Sequence, residues 1–301
     1  MIISTAHHPK ASAAEGAIQW PAHVAYQFER LGPWWVMALR CNGQRHLKLN
    51  APCEDHIAFS PVSERGYIHI AVSDGVGSGA RGDVCSEAAA HHAVDMRVNP
   101  IEETSSEIGR EQVRQRIESA EAAVQRALSL HSDQPGATML AAAWLDENGK
   151  GHIAHVGDAR AYLCSADDAQ LLTQDHSYRN TGEAPASGLS LDDPARMIGI
   201  YTGEPDIQTV ALKNREALLL CSDGLYGFMS EPEFLSMLVR NMRQLSAGFT
   251  ESHLQTIAHQ LLQATVCAGS DDDIAFTLAV FIAPSQEVNT EPNGETEFHV
   301  G

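Results

Sequence analysis

The 301-residue chain has no Cys-x-x-Cys pair, no apolar stretch long enough to cross a membrane, and too little positive charge to hold a polyanion. Its six cysteines (Cys41, Cys53, Cys85, Cys164, Cys221, Cys267) are scattered, and several sit inside apolar runs, where a thiol behaves as a small hydrophobe. That scatter excludes a zinc ribbon or a disulfide framework and points to a reducing compartment. The longest apolar run, Ile274 to Ala283, is about half the length of a membrane helix. No basic region followed by an apolar one opens the sequence, so a signal peptide is not expected and the cytoplasm is the expected compartment. With 20 basic against 39 acidic residues, a net charge of −19, nucleic acid and anionic membrane surfaces are excluded as partners.

What is present is a chain whose 44% apolar content can bury a full core, with nothing in its middle that reads as a linker. Residues 1–30 are weakly patterned, 31–283 read as a single domain, and the acidic, polar stretch 284–301 has almost nothing to bury and reads as disordered. Strands are expected at Trp34 to Leu39, 67–74, 137–145, 151–157, 160–164, 206–212, 216–222 and 274–282. A three-to-four-residue apolar rhythm predicts helices from about Val84 to Met96, over 108–128, and over 231–243 and 251–267. Asn148-Gly149 supplies a hairpin turn suited to positive φ. The polar stretch Ser177 to Met197 reads as a long surface flap. Strands, two helices, a block of strands, two helices and a last strand do not alternate as a parallel doubly wound sheet does. They suit an antiparallel sandwich with helices outside, an α+β class.

The acids fall in a pattern. Two apolar strands run straight into Ser-Asp-Gly, at Ser73-Asp74-Gly75 and Ser222-Asp223-Gly224, and a third breaks at Gly157-Asp158. A fourth begins after Asp271-Asp272-Asp273. If that last strand is antiparallel to its neighbours, all four carboxylates reach one rim. Two like charges 4 Å apart repel by about 4 kcal/mol at an effective dielectric near 20, so such a rim needs protons or cations. Oxygen-only ligands select hard divalent ions such as Mg²⁺ or Mn²⁺. The fifteen histidines add no such pattern: His91-His92 lies in a predicted helix with no i, i+4 histidine partner and reads as an ordinary surface or semi-buried pair. Arg81-Gly82-Asp83 spells a cell-adhesion tripeptide by chance, with Asp83 as a helix-start acid.

Six segments together resemble the metal-dependent protein phosphatases of the 2C type. They are Ser73-Asp74-Gly75-Val76-Gly77, Gly136-Ala137-Thr138, His155 to Leu163, Leu172 to Ser177, Cys221 to Leu225 and Asp272-Asp273-Ile274, in the family's order over residues 34–283. Gly43 to Asp55, where a His precedes Pro-Cys-Glu-Asp, and the pair Gly77-Ser78 are similar to the divergent bacterial branch. The resemblance implies a four-layer αββα sandwich, two antiparallel sheets flanked by helix pairs, with two Mn²⁺ or Mg²⁺ ions and possibly a third at one end. It implies metal ligation by Asp74, the Gly75 carbonyl, Asp223 and Asp272, contacts from Glu54 and Asp55, and a third ion at Asp158. It implies hydrolysis of phosphoserine and phosphothreonine in proteins by a metal-bridging hydroxide, opposite a Ser/Thr kinase. The family's phosphate-gripping Arg position holds Asn50, which leaves Arg45, His46 and Lys48 as substitutes, and His46 as a candidate general acid. Asp271 or Asp273 could replace Asp272 as ligand. These departures keep open a catalytically weak binding or sensor module, and the flap keeps open a phosphohydrolase for a small metabolite.

Overall fold

The computed structural model describes residues 21–60, 67–77, 81–95, 107–131, 135–200, 203–245 and 249–283. In chain order the elements are β1 (Val24–Leu31), β2 (Trp34–Cys41), α1 (Gln44–Leu49), β3 (His56–Ser60), β4 (Ile68–Gly75), α2 (Gly82–Val94), α3 (Glu107–His131), β5 (Thr138–Leu145), β6 (Lys150–Val156), β7 (Arg160–Cys164) and β8 (Ala169–Leu171). They continue with α4 (Tyr178–Thr181), β9 (Asp206–Ala211), β10 (Ala217–Cys221), α5 (Asp223–Tyr226), α6 (Glu231–Leu245), α7 (Glu251–Cys267) and β11 (Ile274–Phe281). One sheet is ordered β1-β2-β11-β10-β7-β8, the other β3-β4-β5-β6-β9, and every pairing is antiparallel.

The near-continuous apolar runs are explained by burial on both faces of both sheets. Successive side chains of a strand point to opposite faces. Ile68, Ile70 and Val72 of β4 and Leu218 and Leu220 of β10 therefore meet between the sheets, with Ala275, Ala279 and Phe281 of β11. The alternate residues Leu140, Ala142 and Trp144 of β5 face the other way, onto Ala89, Ala90 and Ala93 of α2 and Val113, Ile117, Ala120 and Val124 of α3. Leu219, Cys221, Phe276 and Leu278 pack beneath Phe234 and Leu238 of α6 and Leu254, Ile257 and Leu261 of α7. Helix pair, sheet, sheet, helix pair is the expected αββα order. Among the described residues no helix is long and apolar enough to cross a membrane.

Some expectations need correction. The segment 1–30 read as weakly patterned, yet 24–31 form β1, paired along its full length with β2. Its Gln27 and Glu29 interrupt the apolar pattern because β1 is an edge strand whose residues are mostly half-exposed. Residues 1–20 and the tail 284–301 lie outside the described residues, as do Met96 and Ser78. The hairpin after β5 takes positive φ only at Gly149, and the Asp146 carboxylate accepts the amides of Asn148 and Lys150. The four acid-bearing strand ends do not share the rim of one sheet. Asp74 and Asp158 come from the second sheet and Asp223 and Asp272 from the first, so they meet at one end of the sandwich.

Trp144 ties a sheet to its helices: it is fully buried and its Nε1 donates to the Ala93 carbonyl at 3.1 Å. Trp144→Ala should lower unfolding stability by about 3–5 kcal/mol in urea denaturation, through the cavity it leaves.

Candidate metal centre

Asp74 is the penultimate residue of β4, opposite Met139 of β5. Thr138 Oγ1 donates to the Asp74 carbonyl at 2.7 Å, fixing the backbone of that turn. The Gly75 amide donates to the Glu54 carbonyl at 3.1 Å, which draws the Glu54-Asp55 segment against the strand end. Across the sandwich, β10 and β11 pair with Cys221 opposite Phe276, so the residue after one and the residue before the other leave the sheet side by side. The Ser222 amide donates to the Ala275 carbonyl at 3.0 Å, and the Ala275 amide returns to Ser222 Oγ at 2.9 Å. Asp223 then starts α5, and its amide reaches Asp74 Oδ2 at 3.4 Å, joining the two sheets' acids.

The register of the triple Asp is readable from the contacts. Asp273 is buried and points inward. Its Oδ1 accepts the Gly43 amide at 2.6 Å, its Oδ2 accepts the Glu54 amide at 2.6 Å, and His46 Nδ1 lies 2.7 Å from Oδ2. Asp273 thus holds the loop that carries Glu54 and Asp55. Asp272 is left to face the cluster, with Arg45 Nη2 donating to its Oδ1 at 3.0 Å. Asp271 is exposed, and its carbonyl accepts the Arg45 amide. Gly224 makes this approach possible: a Cβ there would lie 1.8 Å from the Asp273 carbonyl oxygen.

Charge is the dominant feature. Burial, followed by the neighbouring charges of Asp55, Asp223 and Asp158, holds Asp74 well above the usual carboxylate range. Asp55 is also held well above it, by burial and then by Asp273, Asp223 and Asp272, against a hydrogen bond from Ser222 that acts the other way. Burial and Asp223 push Asp158 up to about 7. Asp223 is raised by burial and then by Asp272, and Glu54 chiefly by burial. Such shifts mark carboxylates that lack the counter-charge their positions call for. Among the described residues, Glu54 Oε2, Asp55 Oδ2 and Asp158 Oδ1 are buried without a hydrogen-bond donor. Unpartnered carboxylate oxygens among like charges fit hard divalent cations, which take oxygen ligands.

The other residues singled out from the sequence fall unevenly. Arg45 is exposed and flanks the acids through Asp272. His46 is buried, with Nδ1 hydrogen-bonded to Asp273 and Nε2 3.3 Å from Glu54 Oε2, near that carboxylate but without a hydrogen bond to it. Lys48 is exposed two residues further along α1, which turns it to another face of the helix. Asn50 is the helix C-cap at φ 50°, a conformation Asn tolerates. Asp158 is held at its carbonyl by the Tyr226 hydroxyl at 2.8 Å. Over that ring, 3.8 Å from its centroid, lies the Arg160 guanidinium, which also makes a two-pronged pair with Asp175 at 2.8 and 2.7 Å. Motif membership marked Arg160 and Asp175 in the sequence; nothing there joined them to Tyr226, which lies in another segment. The flap 177–197 folds back on itself through Arg179–Asp192 and carries the short α4.

Comparison with known proteins agrees with this geometry. Residues 42–262 match the profile of the family described as Protein phosphatase 2C. A Serine/threonine phosphatase stp of Listeria innocua is 29% identical over 194 residues, covering 59% of this chain and 73% of the relative. Protein phosphatase PhpP of Streptococcus pneumoniae is 27% identical over 198 residues, covering 60% and 76%. The crystal structure of Serine/threonine phosphatase Stp1 from Staphylococcus aureus superposes with a TM-score of 0.65 at 21% identity, over 85% of this chain and 98% of that one. A catalytic domain of serine threonine protein phosphatase PstP, solved with 2 manganese ions, gives 0.60 at 18% identity over 83% and 98%. With that profile spanning well over half of the sequence, on a two-sheet sandwich with acids gathered at one end, the chain belongs to the protein phosphatase 2C family.

Proposed function

We propose that this protein hydrolyses phosphoserine and phosphothreonine in proteins with the help of divalent cations, reversing a Ser/Thr kinase. The observation that carries the reading is the convergence of Asp55, Asp74, Asp223 and Asp272, each raised by or raising another, from both sheets onto one point. Two Mn²⁺ or Mg²⁺ ions would be held by Asp74, the Gly75 carbonyl, Asp223, Asp272, Asp55 and Glu54, and a third by Asp158 with Asp223. Such ions supply Lewis acidity, making water nucleophilic near neutral pH and neutralising phosphoryl oxygens.

The chain's own residues do the rest. Arg45, exposed at the rim beside Asp272, grips the phosphoryl dianion. His46 lies against Glu54 while anchored on Asp273 through Nδ1, a positioning role. Tyr226, with the Arg160 guanidinium stacked over its ring, holds the Asp158 carbonyl. No covalent phospho-enzyme is needed. Cys53, next to Glu54, is unsuited to forming one, because burial and then Asp55 push its thiol well above the ordinary range.

A phosphoserine peptide should release phosphate in the presence of Mn²⁺ and not after chelation, and a phosphotyrosine peptide much more slowly. Asp223→Asn should cut turnover by about 10²-fold or more. Without metal the same variant should melt no lower than the parent, because one repelling carboxylate is gone; unchanged turnover would sink the assignment. Arg45→Ala should raise KM for the phosphopeptide about tenfold with a smaller change in kcat, as loss of a ground-state contact does, while Lys48→Ala changes neither. His46→Gln should weaken Mn²⁺ affinity by about 10–100-fold, as measured by calorimetry, with most activity returning at high Mn²⁺.

A further inference from the structure

A second group of potential metal ligands lies away from the acids, where β6, the edge strand β9 and the segment leading into the flap meet. His155 of β6 stands directly opposite Asp206 of β9, so their side chains share one face of the sheet. His176 stacks on His155 with ring centroids 4.5 Å apart. One ligand atom from each of the three lies within 4.8 Å of those of the other two.

The hydrogen bonds fix what these rings offer. His155 Nε2 lies 2.9 Å from the Gln174 carbonyl, which can only accept, so Nε2 carries the proton and Nδ1 the free electron pair. His155 is 1% exposed and that Nδ1 has no hydrogen-bond partner. His176 is 4% exposed; its Nδ1 accepts the Gly157 amide, so Nε2 carries the proton, 3.4 Å from Asp206 Oδ2 and without a hydrogen bond among the described residues. Two interior nitrogens therefore face one carboxylate, at the wall of a cavity of about 430 Å³ that His155, Gln174, Asp206 and Gln208 help to line. Two arginines on the same cavity are committed elsewhere: Arg110 to the Ile207 carbonyl and Arg114 to Glu204. Burial keeps both imidazoles neutral, His176 down to about 4, which is the form that binds metal.

We propose that His155 Nδ1, His176 Nε2 and the Asp206 carboxylate form a second cation site, separate from the acid cluster and selective for a borderline ion such as Zn²⁺ or Co²⁺. Two imidazoles and one carboxylate, with water in a fourth position, suit a tetrahedral ion of that class and not Mg²⁺. The His155 Nε2–H bond to a backbone carbonyl is the outer contact that orients a ligating ring. Coordination through His176 Nε2 moves its proton to Nδ1, at the expense of a long 3.3 Å contact from the Gly157 amide. The ion would clamp β6 and β9 to the root of the flap, next to Gly157, whose carbonyl already accepts the His176 amide. A comparable trio, His56, Glu87 and His91, is a poorer candidate, since the Arg40 guanidinium already donates to His56 Nδ1 at 3.0 Å.

Co²⁺ titration of the full chain in saturating Mg²⁺ tests this, read as visible absorption. A four-coordinate site with two nitrogens absorbs far more strongly than a six-coordinate all-oxygen one. One equivalent of the strong band is expected, weakened about tenfold or more in affinity by Asp206→Asn and retained in Asp223→Asn. Asp206 carries an exposed side chain, so the fold of its variant can be checked by circular dichroism in the absence of metal. Absence of the band in the parent, an undiminished band in Asp206→Asn, or its loss in Asp223→Asn would each overturn the proposal.

Discussion

Mutual repulsion among buried carboxylates is the constraint around which the rest of the molecule is arranged. Asp55, Asp74, Asp158, Asp223 and Asp272 are brought to one end of the sandwich from strands of different sheets. Burial together with like charge raises the pKa values of Asp55, Asp74, Asp158 and Asp223. Their positions are over-determined by neutral or paired scaffolding. Thr138 and Ser222 hold backbone at the strand ends, and Asp273 takes two amides and an imidazole so that Glu54 and Asp55 cannot swing away. The surrounding fold spends stability on keeping these charges together, as a strained functional site does.

The sandwich suits that task for a topological reason. Two antiparallel sheets packed face to face bring strand ends from both sheets to the same level. Backbone turns leaving those ends can then aim side chains at a common point without any long loop. The helix pairs cover the outer faces and contribute little to the site, so the apolar content of the strands is spent on rigidity. The contacts that the acids do make to cations are peripheral: Arg45 at the rim, and Arg160 through Asp175 and Tyr226.

The same sheet-end geometry places His155 three residues before Asp158, with its side chain on the inter-sheet face it shares with Ile153, beside the edge strand β9. Successive residues of a strand serve different surfaces, so one short segment, His155-Val156-Gly157-Asp158, supplies a nitrogen to one place and an oxygen to another. The two donor sets differ in hardness, oxygen only against nitrogen-rich, and that difference separates the ions they favour.

Much of this was legible in the sequence. The long apolar runs mark the strands, because a strand covered on both faces presents apolar residues at most of its positions. Ser-Asp-Gly twice, Gly-Asp-Ala-Arg and the triple Asp mark the acids because each follows or precedes a run that must be a buried strand. Sequence alone did not give β1, whose half-exposed edge position allows Gln27 and Glu29 among its apolar residues. Nor did it give the choice among Asp271, Asp272 and Asp273, or the anchoring of His46 Nδ1 on Asp273. Those depend on which backbone amides and carboxylates lie within about 3 Å across more than two hundred residues of chain. Hydrogen bonds of that kind have no periodicity and leave no local trace, so only the packed tertiary structure decides them.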